Sequence, residues 1–535
     1  MEVLVFKGSA AGIDDEDSGP EGGFSAVCVS EGDTLLRVLQ REGFEVSAPC
    51  GGNGTCGKCV VEVQRPAGTW VRVLACQTEV EDHMKVRRVR TASGVHVEGD
   101  VSDARAAAHF PLDAAAEGDL GVAVDLGTTT IAAYLFDVST GTLLGQSGAP
   151  NPQASFGADV ISRIHASSSG ALEVLQDAAV RCIRGLARDL CRRAGVEERH
   201  IARWSVAGNT VMEHLLCGLS PESIGSYPFR PQTLFGDMRR VRGLGKTFMA
   251  PCMSGYVGGD ISAGLVACGI DELAGGSVSS GGAMRTVLFA DLGTNGEMAL
   301  ASGDDLICCA TATGPAFEGA NISQGMQASD GAIDACRFEG GSFQIRSVGG
   351  AEPVGVCGSG LIDALAACLQ AGVVDDTGRI LGEDELPSDR KHLVSMRNGK
   401  PVVCLTPSGT VALTQKDVRA LQLAKAAVSA GISCLLAEAG VKASDVDAFV
   451  IGGAFGTHLR PEAAAHVGMF PRELLPKVRL VGNCAGAGAC ASLLSSEARD
   501  RMARAAQRAR YTELSLDENF SEAYIDAMEF EEAIV

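Results

Sequence analysis

Three cysteines lie close together in a glycine-rich stretch near the start of the chain, PCGGNGTCGKC at residues 49–59. Cys50, Cys56 and Cys59 have the spacing C-x5-C-x2-C, and Cys76 follows in the segment RVLACQT. Three thiolates on one loop and a fourth from a nearby segment can hold a 2Fe–2S cluster. The intervening glycines let the backbone approach such a cluster closely. A zinc site is the alternative, but zinc knuckles usually pair two C-x2-4-C units, and only one such unit is present.

A second chemical pattern, Asp-Leu-Gly-Thr between two apolar strands, occurs twice further along the chain. The first copy is GVAVDLGTTTIAAYLF and the second is RTVLFADLGTNGEMALA. A Gly-Thr hairpin presents N–H and hydroxyl groups to phosphate oxygens, and the aspartate before it can hold Mg²⁺ through water. Two matched copies predict two like domains that grip one nucleotide. The predicted residues are Asp125, Gly127, Thr128 and Thr129 in the first copy, and Asp291, Gly293, Thr294 and Asn295 in the second.

A third segment, VDAFVIGGAFGTHL at residues 446–459, is a strand followed by a glycine-rich loop. We predict that Gly452, Gly453 and Phe455 border the adenosine of a bound nucleotide. The preceding helix carries Gln422 and Lys425 on neighbouring turns, which makes them candidates for ribose or adenine contacts. The alternative is a packed core helix with solvated charges.

The elements around the cysteines predict how the loop is positioned. Strands MEVLVFKG and FSAVCVSEG precede a short helix, EGDTLLRVLQREGF, and strands CVVEVQR and WVRVLACQTEV follow it. This order resembles the β-grasp fold of 2Fe–2S ferredoxins over residues 1–85. Residues 86–119 are small and charged, and we expect them to form a flexible linker that lets the cluster swing between electron donor and acceptor.

Composition narrows the classes of function. The chain has 535 residues, with 45 Lys and Arg against 66 Asp and Glu, so its net charge of −21 argues against binding nucleic acid or anionic membranes. The sequence has no run of 18 apolar residues and no signal-like start. The 19 cysteines do not suit a disulfide framework. We therefore expect a cytoplasmic protein of a reducing, anaerobic cell.

The body resembles the superfamily of acetate and sugar kinases, 70-kDa heat-shock chaperones and actin, because two phosphate hairpins and an adenosine loop occur in that order. The resemblance implies a duplicated RNase H-like ATPase domain, and the chain as a whole is predicted to be a multidomain α/β and α+β protein. The predicted units of the body are residues 120–285 for the first half, 286–500 for the second half and 501–535 for a C-terminal segment that docks on the ATPase.

A ferredoxin joined to this ATPase resembles the reductive activators of corrinoid enzymes. Further strings resemble that family's ATPase domain, among them VAGNTVMEHLL, GGDISAGLVACG, ATGPAFEGANISQGM, VGVCGSGLIDALA and VRALQLAKAA. The resemblance implies ATP-dependent reduction of a partner's Co(II) corrinoid to Co(I), with electrons entering at the 2Fe–2S cluster. It implies as partners a corrinoid protein of a methyltransferase or O-demethylase system and a low-potential electron donor, and it implies a homodimer.

In that family the four cysteines would ligate the cluster, and Asp125 and Asp291 would hold Mg²⁺ beside ATP. No base for the attacking water can be assigned; Glu297 and Glu318 are candidates. A small-molecule kinase with a regulatory cluster is the main alternative. A chaperone would need a further peptide-binding domain, and activators of acyl-CoA dehydratases have no ferredoxin head.

Overall fold

The structure is a computed structural model. The residues it describes are 2–6, 24–30, 32–41, 46, 48, 52, 54, 59–65, 68–88, 110–273, 286–319 and 321–530.

The N-terminal head is one mixed sheet with a helix packed on it. The strands lie in the order β2-β1-β5-β3-β4, with β1 parallel to β5 and the other pairs antiparallel. Helix α1 buries Leu35, Leu36 and Leu39 against this sheet. The elements are β1 Glu2–Phe6, β2 Phe24–Cys28, α1 Leu35–Arg41, β3 Val60–Gln64, β4 Val71–Leu74 and β5 Lys85–Arg88.

The predicted linker is shorter than residues 86–119. Strand β5 continues to Arg88 in the middle of the head sheet, where Val86 is buried and Lys85 and Arg87 are half-buried. At the other end, Asp113 accepts hydrogen bonds from Ser496 and forms an ion pair with Arg499 of the body. Residues 110–119 therefore belong to the body. A strand with one apolar residue gives little sequence signal, which is why the boundary was misplaced.

The first half of the body contains a six-stranded sheet in the order β10-β11-β9-β6-β7-β8. Its strands are β6 Leu120–Leu126, β7 Thr130–Asp137, β8 Thr142–Pro150, β9 Ile201–Gly208, β10 Met238–Val241 and β11 Gly245–Met249.

The second half contains a six-stranded sheet in the order β22-β21-β12-β13-β14-β23 and two three-stranded sheets, β16-β15-β17 and β18-β19-β20. Its strands are β12 Thr286–Leu292, β13 Gly296–Ser302, β14 Asp305–Thr311, β15 Ala332–Glu339, β16 Ser342–Ser347, β17 Gly355–Val356, β18 Val394–Arg397, β19 Lys400–Cys404, β20 Ala412–Thr414, β21 Ala448–Gly452, β22 Val478–Leu480 and β23 Arg510–Thr512.

The two large sheets share one plan. In each, the strand that ends in the DLG sequence pairs antiparallel with the next strand and parallel with a later one: β6 with β7 and β9, β12 with β13 and β21. Both β6 and β12 are buried at every position except the aspartate near the end. Continuous apolar runs of this kind are typical of central strands covered on both faces.

Helices pack on the sheets of the body and on one another. They are α2 Val160–Ala166, α3 Leu172–Ala194, α4 Thr210–Cys217, α5 Gly259–Ala267, α6 Gly358–Ala371, α7 Gln415–Glu438, α8 Gly453–His458, α9 Pro461–His466, α10 Cys484–Leu494, α11 Ser496–Arg508 and α12 Glu518–Asp526.

The two halves exchange elements. Helix α10, late in the chain, packs against β6 and β9 of the first sheet and against α5. A Cβ on Gly488 of α10 would lie 2.2 Å from the carbonyl oxygen of Ala263, so only glycine permits this close helix packing. Strand β23 then returns to the edge of the second sheet beside β14. The halves are therefore not separable at one point of the chain.

Helix α7 is long and apolar enough to cross a membrane by length and composition, but 72% of its apolar window is buried inside the protein. It packs against β13, β14 and α12. These contacts are those of a core helix of a globular domain.

Candidate functional site

One cleft is lined by both predicted phosphate hairpins. Turn residues 127–129 of the first hairpin and 293–295 of the second line it together with the adenosine loop. The carboxylate side chains in the lining are Asp125, Asp260, Asp291, Glu297 and Glu318. None of the described residues that line the cleft is a lysine or an arginine.

The turn between β6 and β7 is held by hydrogen bonds to its carbonyl oxygens. The Asn151 side-chain amide donates to the Gly127 carbonyl at 2.8 Å, and the Asn151 backbone N–H donates to the Thr129 carbonyl at 2.7 Å. The buried guanidinium of Arg163 donates to the Thr128 carbonyl at 2.6 Å. Because these carbonyls already have donors, the turn can offer an anion its N–H groups and threonine hydroxyls.

The turn between β12 and β13 is held in a similar way. The Gly293 N–H donates to the Asn295 carbonyl at 3.0 Å, which closes the turn. The hydroxyl of Thr313 lies 2.7 Å from the Gly293 carbonyl and 2.8 Å from the Thr294 carbonyl. The N–H and hydroxyl of Thr294 both donate to Glu318. The two hairpins thus present the same kinds of donor to one cleft.

The carboxylates of the cleft are buried close to one another. Burial raises the pKa of Asp125 to about 6. Burial and then the charges of Asp125 and Glu318 raise the pKa of Asp291 to about 7. Burial and then the charge of Asp291 raise the pKa of Asp260 to about 8, and burial with the charges of Asp260 and Asp291 raises the pKa of Glu297 well above its usual value. A cation in the cleft would relieve this repulsion.

The donor set fits Mg²⁺ held largely through water. Among the described residues, no three His, Cys, Asp or Glu side chains are arranged to ligate one ion directly. Mg²⁺ commonly keeps several waters and uses one or two carboxylates together with the phosphates of a substrate. Carboxylates at the ends of β6 and β12, with no lysine or arginine in the described lining, suit that mode.

Three polar residues of the cleft were missed by sequence reasoning. Asp260 lies in the first turn of α5. Asn483 and Asn209 are the N-cap residues of α10 and α4, and their side-chain amides donate to Asp125 at 2.6 Å and to Glu297 at 3.2 Å. The sequence did contain a signal for these residues, which lie in the segments GGD, AGN and GNC. Polar residues that directly precede or begin helices often cap the helix or bind a ligand.

The predicted adenosine loop reaches the cleft through two of its three residues. Gly453 has φ +86°, and a Cβ there would lie 2.5 Å from the Asp291 carboxylate. The ring of Phe455 stacks on Phe317 with centroids 4.7 Å apart. Gly452 is not in the lining; it packs behind the loop, where a Cβ would lie 2.5 Å from the sulfur of Cys484.

Gln422 and Lys425 do not reach the cleft, which corrects the predicted nucleotide contacts. The Gln422 amide donates to the carbonyls of Thr377 and Met528, and the Lys425 ammonium donates to the Glu529 carbonyl and lies 4.8 Å from the Phe530 ring centroid. Both side chains point to the face of α7 that the C-terminal segment covers. Periodicity marks a helix face but not which neighbour covers it.

Two of the four predicted cluster ligands lie in the described residues. The sulfurs of Cys59 and Cys76 are 3.3 Å apart. This distance is far longer than a disulfide of about 2.05 Å. Two thiolates on one tetrahedral metal with bonds of about 2.3 Å would lie roughly 3.7 Å apart, so the two sulfurs are close enough to ligate one metal ion after a small adjustment. Cys50 and Cys56 lie outside the described residues.

Family matches cover the same three regions. Residues 20–81 match the 2Fe-2S iron-sulfur cluster binding domain, residues 120–273 match the RACo middle region, and residues 285–534 match the C-terminal domain of RACo, the ASKHA domain. These matches confirm the predicted fold class, with a ferredoxin-like head and an actin- and sugar-kinase-like body. They also confirm the predicted cofactors, a 2Fe–2S cluster and ATP.

Individual relatives match over most of the chain. The corrinoid activation enzyme RamQ of Eubacterium limosum is 30% identical over 93% of this chain and 96% of its own. The [Co(II) methylated amine-specific corrinoid protein] reductase of Methanosarcina barkeri is 26% identical over 66% of each chain. A solved structure of a reductive activator for corrinoid, iron-sulfur protein is 28% identical, has a TM-score of 0.69 and covers 99% of this chain and 98% of its own. The chain therefore belongs to the family of reductive activators of corrinoid proteins.

Proposed function

We propose that this protein uses ATP to pass one electron from a 2Fe–2S cluster to the Co(II) corrinoid of a partner protein and so regenerates Co(I) for methyl transfer. The observation that carries the proposal is that a head with paired cysteine sulfurs and a cleft with two matched phosphate hairpins belong to one chain. Family membership supplies the corrinoid partner.

Cys50, Cys56, Cys59 and Cys76 would hold the cluster, which when bound supplies single electrons at low potential. In the body, Asp125 and Asp291 would orient Mg²⁺ through water. The two hairpin turns would bind the phosphates, and Gly453 and Phe455 would border the adenosine. Glu297 and Glu318 both line the cleft, and neither is assigned as the base.

Energetics explain why an electron carrier would need an ATPase. Plant-type 2Fe–2S centres have potentials near about −400 mV, and the Co(II)/Co(I) couple is expected to lie lower. For one electron, each step of about 59 mV uphill reduces the equilibrium constant tenfold, or about 1.4 kcal/mol. A ligand can drive such a step only if it binds two conformations with different affinity. A cleft built from two sheets that exchange elements is suited to that role.

The finer parts of the proposal rest on the family resemblance. We place the protein in the cytoplasm of an anaerobic cell, as a homodimer formed through the body, with a low-potential protein as donor. An O-demethylase or another methyltransferase system would supply the corrinoid client. The kinase alternative has no comparable support, since the relatives matched over most of this chain are corrinoid activators or reductases.

The test is cobalt reduction followed by absorbance. The protein, reduced under anaerobic conditions, is mixed with a Co(II) corrinoid protein, and the Co(I) band is expected only when Mg-ATP is present. Asp125→Ala and Asp291→Ala should abolish the signal while cluster reduction stays intact. Asp500→Ala, at an exposed carboxylate on α11, serves as the matched control. Equal cobalt reduction without ATP would contradict the proposal.

A further inference from the structure

Glu318 connects the two phosphate hairpins. It ends the short helical turn Pro315–Glu318, and its carboxylate lines the cleft. One carboxylate oxygen accepts the Thr294 N–H at 2.9 Å and the Thr294 hydroxyl at 2.7 Å. The other oxygen accepts the hydroxyl of Thr129, from the first hairpin. A single anionic side chain is therefore shared by the two turns.

These three donors are the kind that a phosphate group uses. Backbone N–H and threonine hydroxyl groups at glycine turns bind phosphoryl oxygens. A carboxylate and a phosphoryl group are both anionic acceptors, so they compete for the same donors. None of the described lining residues is a lysine or arginine that could accommodate both anions.

The turn that carries Glu318 also touches the predicted adenosine end of the cleft. Phe317, the preceding residue, stacks on Phe455 with an angle of 18° between the rings. The following residue, Gly319, has φ +72°, and a Cβ there would lie 2.4 Å from the Met326 carbonyl. Glu318 is therefore next in the chain to an aromatic pair that includes a residue of the predicted adenosine loop.

We infer that Glu318 is an internal competitor of the nucleotide's terminal phosphate, which holds the two hairpins together until a nucleoside triphosphate displaces its carboxylate from Thr294 and Thr129. The inference rests on the proposed binding of ATP in this cleft. It makes Glu318 a residue that lowers the affinity for triphosphate relative to diphosphate, because only the longer ligand must remove the carboxylate. Only the binding of the longer ligand then releases one hairpin from the other.

The test is calorimetric titration of the full-length protein with Mg²⁺ and either ADP or a non-hydrolysable ATP analogue. Glu318→Ala should bind the triphosphate analogue about tenfold more tightly, which corresponds to about 1.4 kcal/mol. The gain in binding free energy for ADP should be less than half of that value. Glu318→Gln, which keeps the size but loses the charge, should give an intermediate gain. Glu383→Ala, the same change at an exposed glutamate, should leave both affinities as in the wild type.

The non-hydrolysable analogue separates binding from any role in hydrolysis, and circular dichroism and the melting temperature verify that each variant is folded. Unchanged or weaker binding of the triphosphate analogue by folded Glu318→Ala overturns the inference, as does an equal gain for ADP. Failure of the wild-type protein to bind any nucleotide would instead contradict the proposed function, so the two failures are distinguishable.

Discussion

The side-chain amide of Asn483 lies 2.6 Å from the Asp125 carboxylate, although the two residues are 358 positions apart in the chain. The other end of the same amide accepts the Gly486 N–H at 2.7 Å and so caps helix α10. One residue therefore fixes both the start of a helix and the orientation of an aspartate in the cleft.

Asn483→Ala should weaken both functions. We expect the free energy of unfolding to fall by about 1–2 kcal/mol through loss of the cap, and the Mg-nucleotide affinity to fall about tenfold because Asp125 loses its orienting donor. Urea titration and calorimetry measure these effects. Asn519→Ala, at an exposed asparagine of α12, is the control. A variant with wild-type nucleotide affinity would show that Asn483 only caps the helix.

The stability of the folded protein and its affinity for nucleotide should both depend on pH. Because burial raises the pKa of Asp125 to about 6 and the pKa of Asp291 to about 7, both groups retain protons in the folded protein where the unfolded chain has lost them. Their contribution to stability is therefore present at low pH and is lost between about pH 4 and 7. Without Mg²⁺, the melting temperature should fall as the pH rises from 5.5 to about 7.5.

Mg²⁺ favours the ionised carboxylates, so Mg-ADP affinity should rise over the same interval. Asp291→Asn should flatten both pH profiles. Affinity that stays constant from about pH 5.5 to 7.5 would contradict the placement of Mg²⁺ beside these carboxylates.

Gly453→Ala should damage the cleft directly. A Cβ at this position would lie 2.5 Å from the Asp291 carboxylate, and φ is +86°. The positive φ alone costs about 1 kcal/mol, and displacement of Asp291 should reduce nucleotide affinity at least tenfold. Gly399→Ala is the matched control, because φ is +72° there with nothing within 4 Å of the added Cβ. Equal nucleotide affinity for the two variants would exclude a role for the contact with Asp291.

Replacing Cys59 or Cys76 by serine should abolish or destabilise the cluster. We expect loss of iron, sulfide and visible absorbance, with nucleotide binding by the body unchanged. Cys28→Ser, at an exposed thiol of the same sheet, should retain the cluster. Zinc in place of iron in the anaerobically purified wild type would contradict the 2Fe–2S assignment.

The two hairpins could be predicted because each is a local pattern, Asp-Leu-Gly-Thr between apolar strands. The paired cysteines could be predicted for the same reason. Asp260 and Asn483 were not, because their roles depend on contacts between segments far apart in the chain. Gln422 and Lys425 show the opposite case, in which the sequence suggested contacts that the structure does not have. Their spacing would allow both to contact a ligand from one face of the helix, but the C-terminal segment covers that face.

Helix α10 has a further consequence for how the protein is made. It covers strands β6 and β9, yet it is translated long after both of them. The part of the first sheet that α10 covers therefore leaves the ribosome bare, and it stays uncovered until α10 has been made. Asp125 likewise lacks its hydrogen-bond donor until Asn483 has been made, so a nascent chain that stops before α10 has no finished cleft.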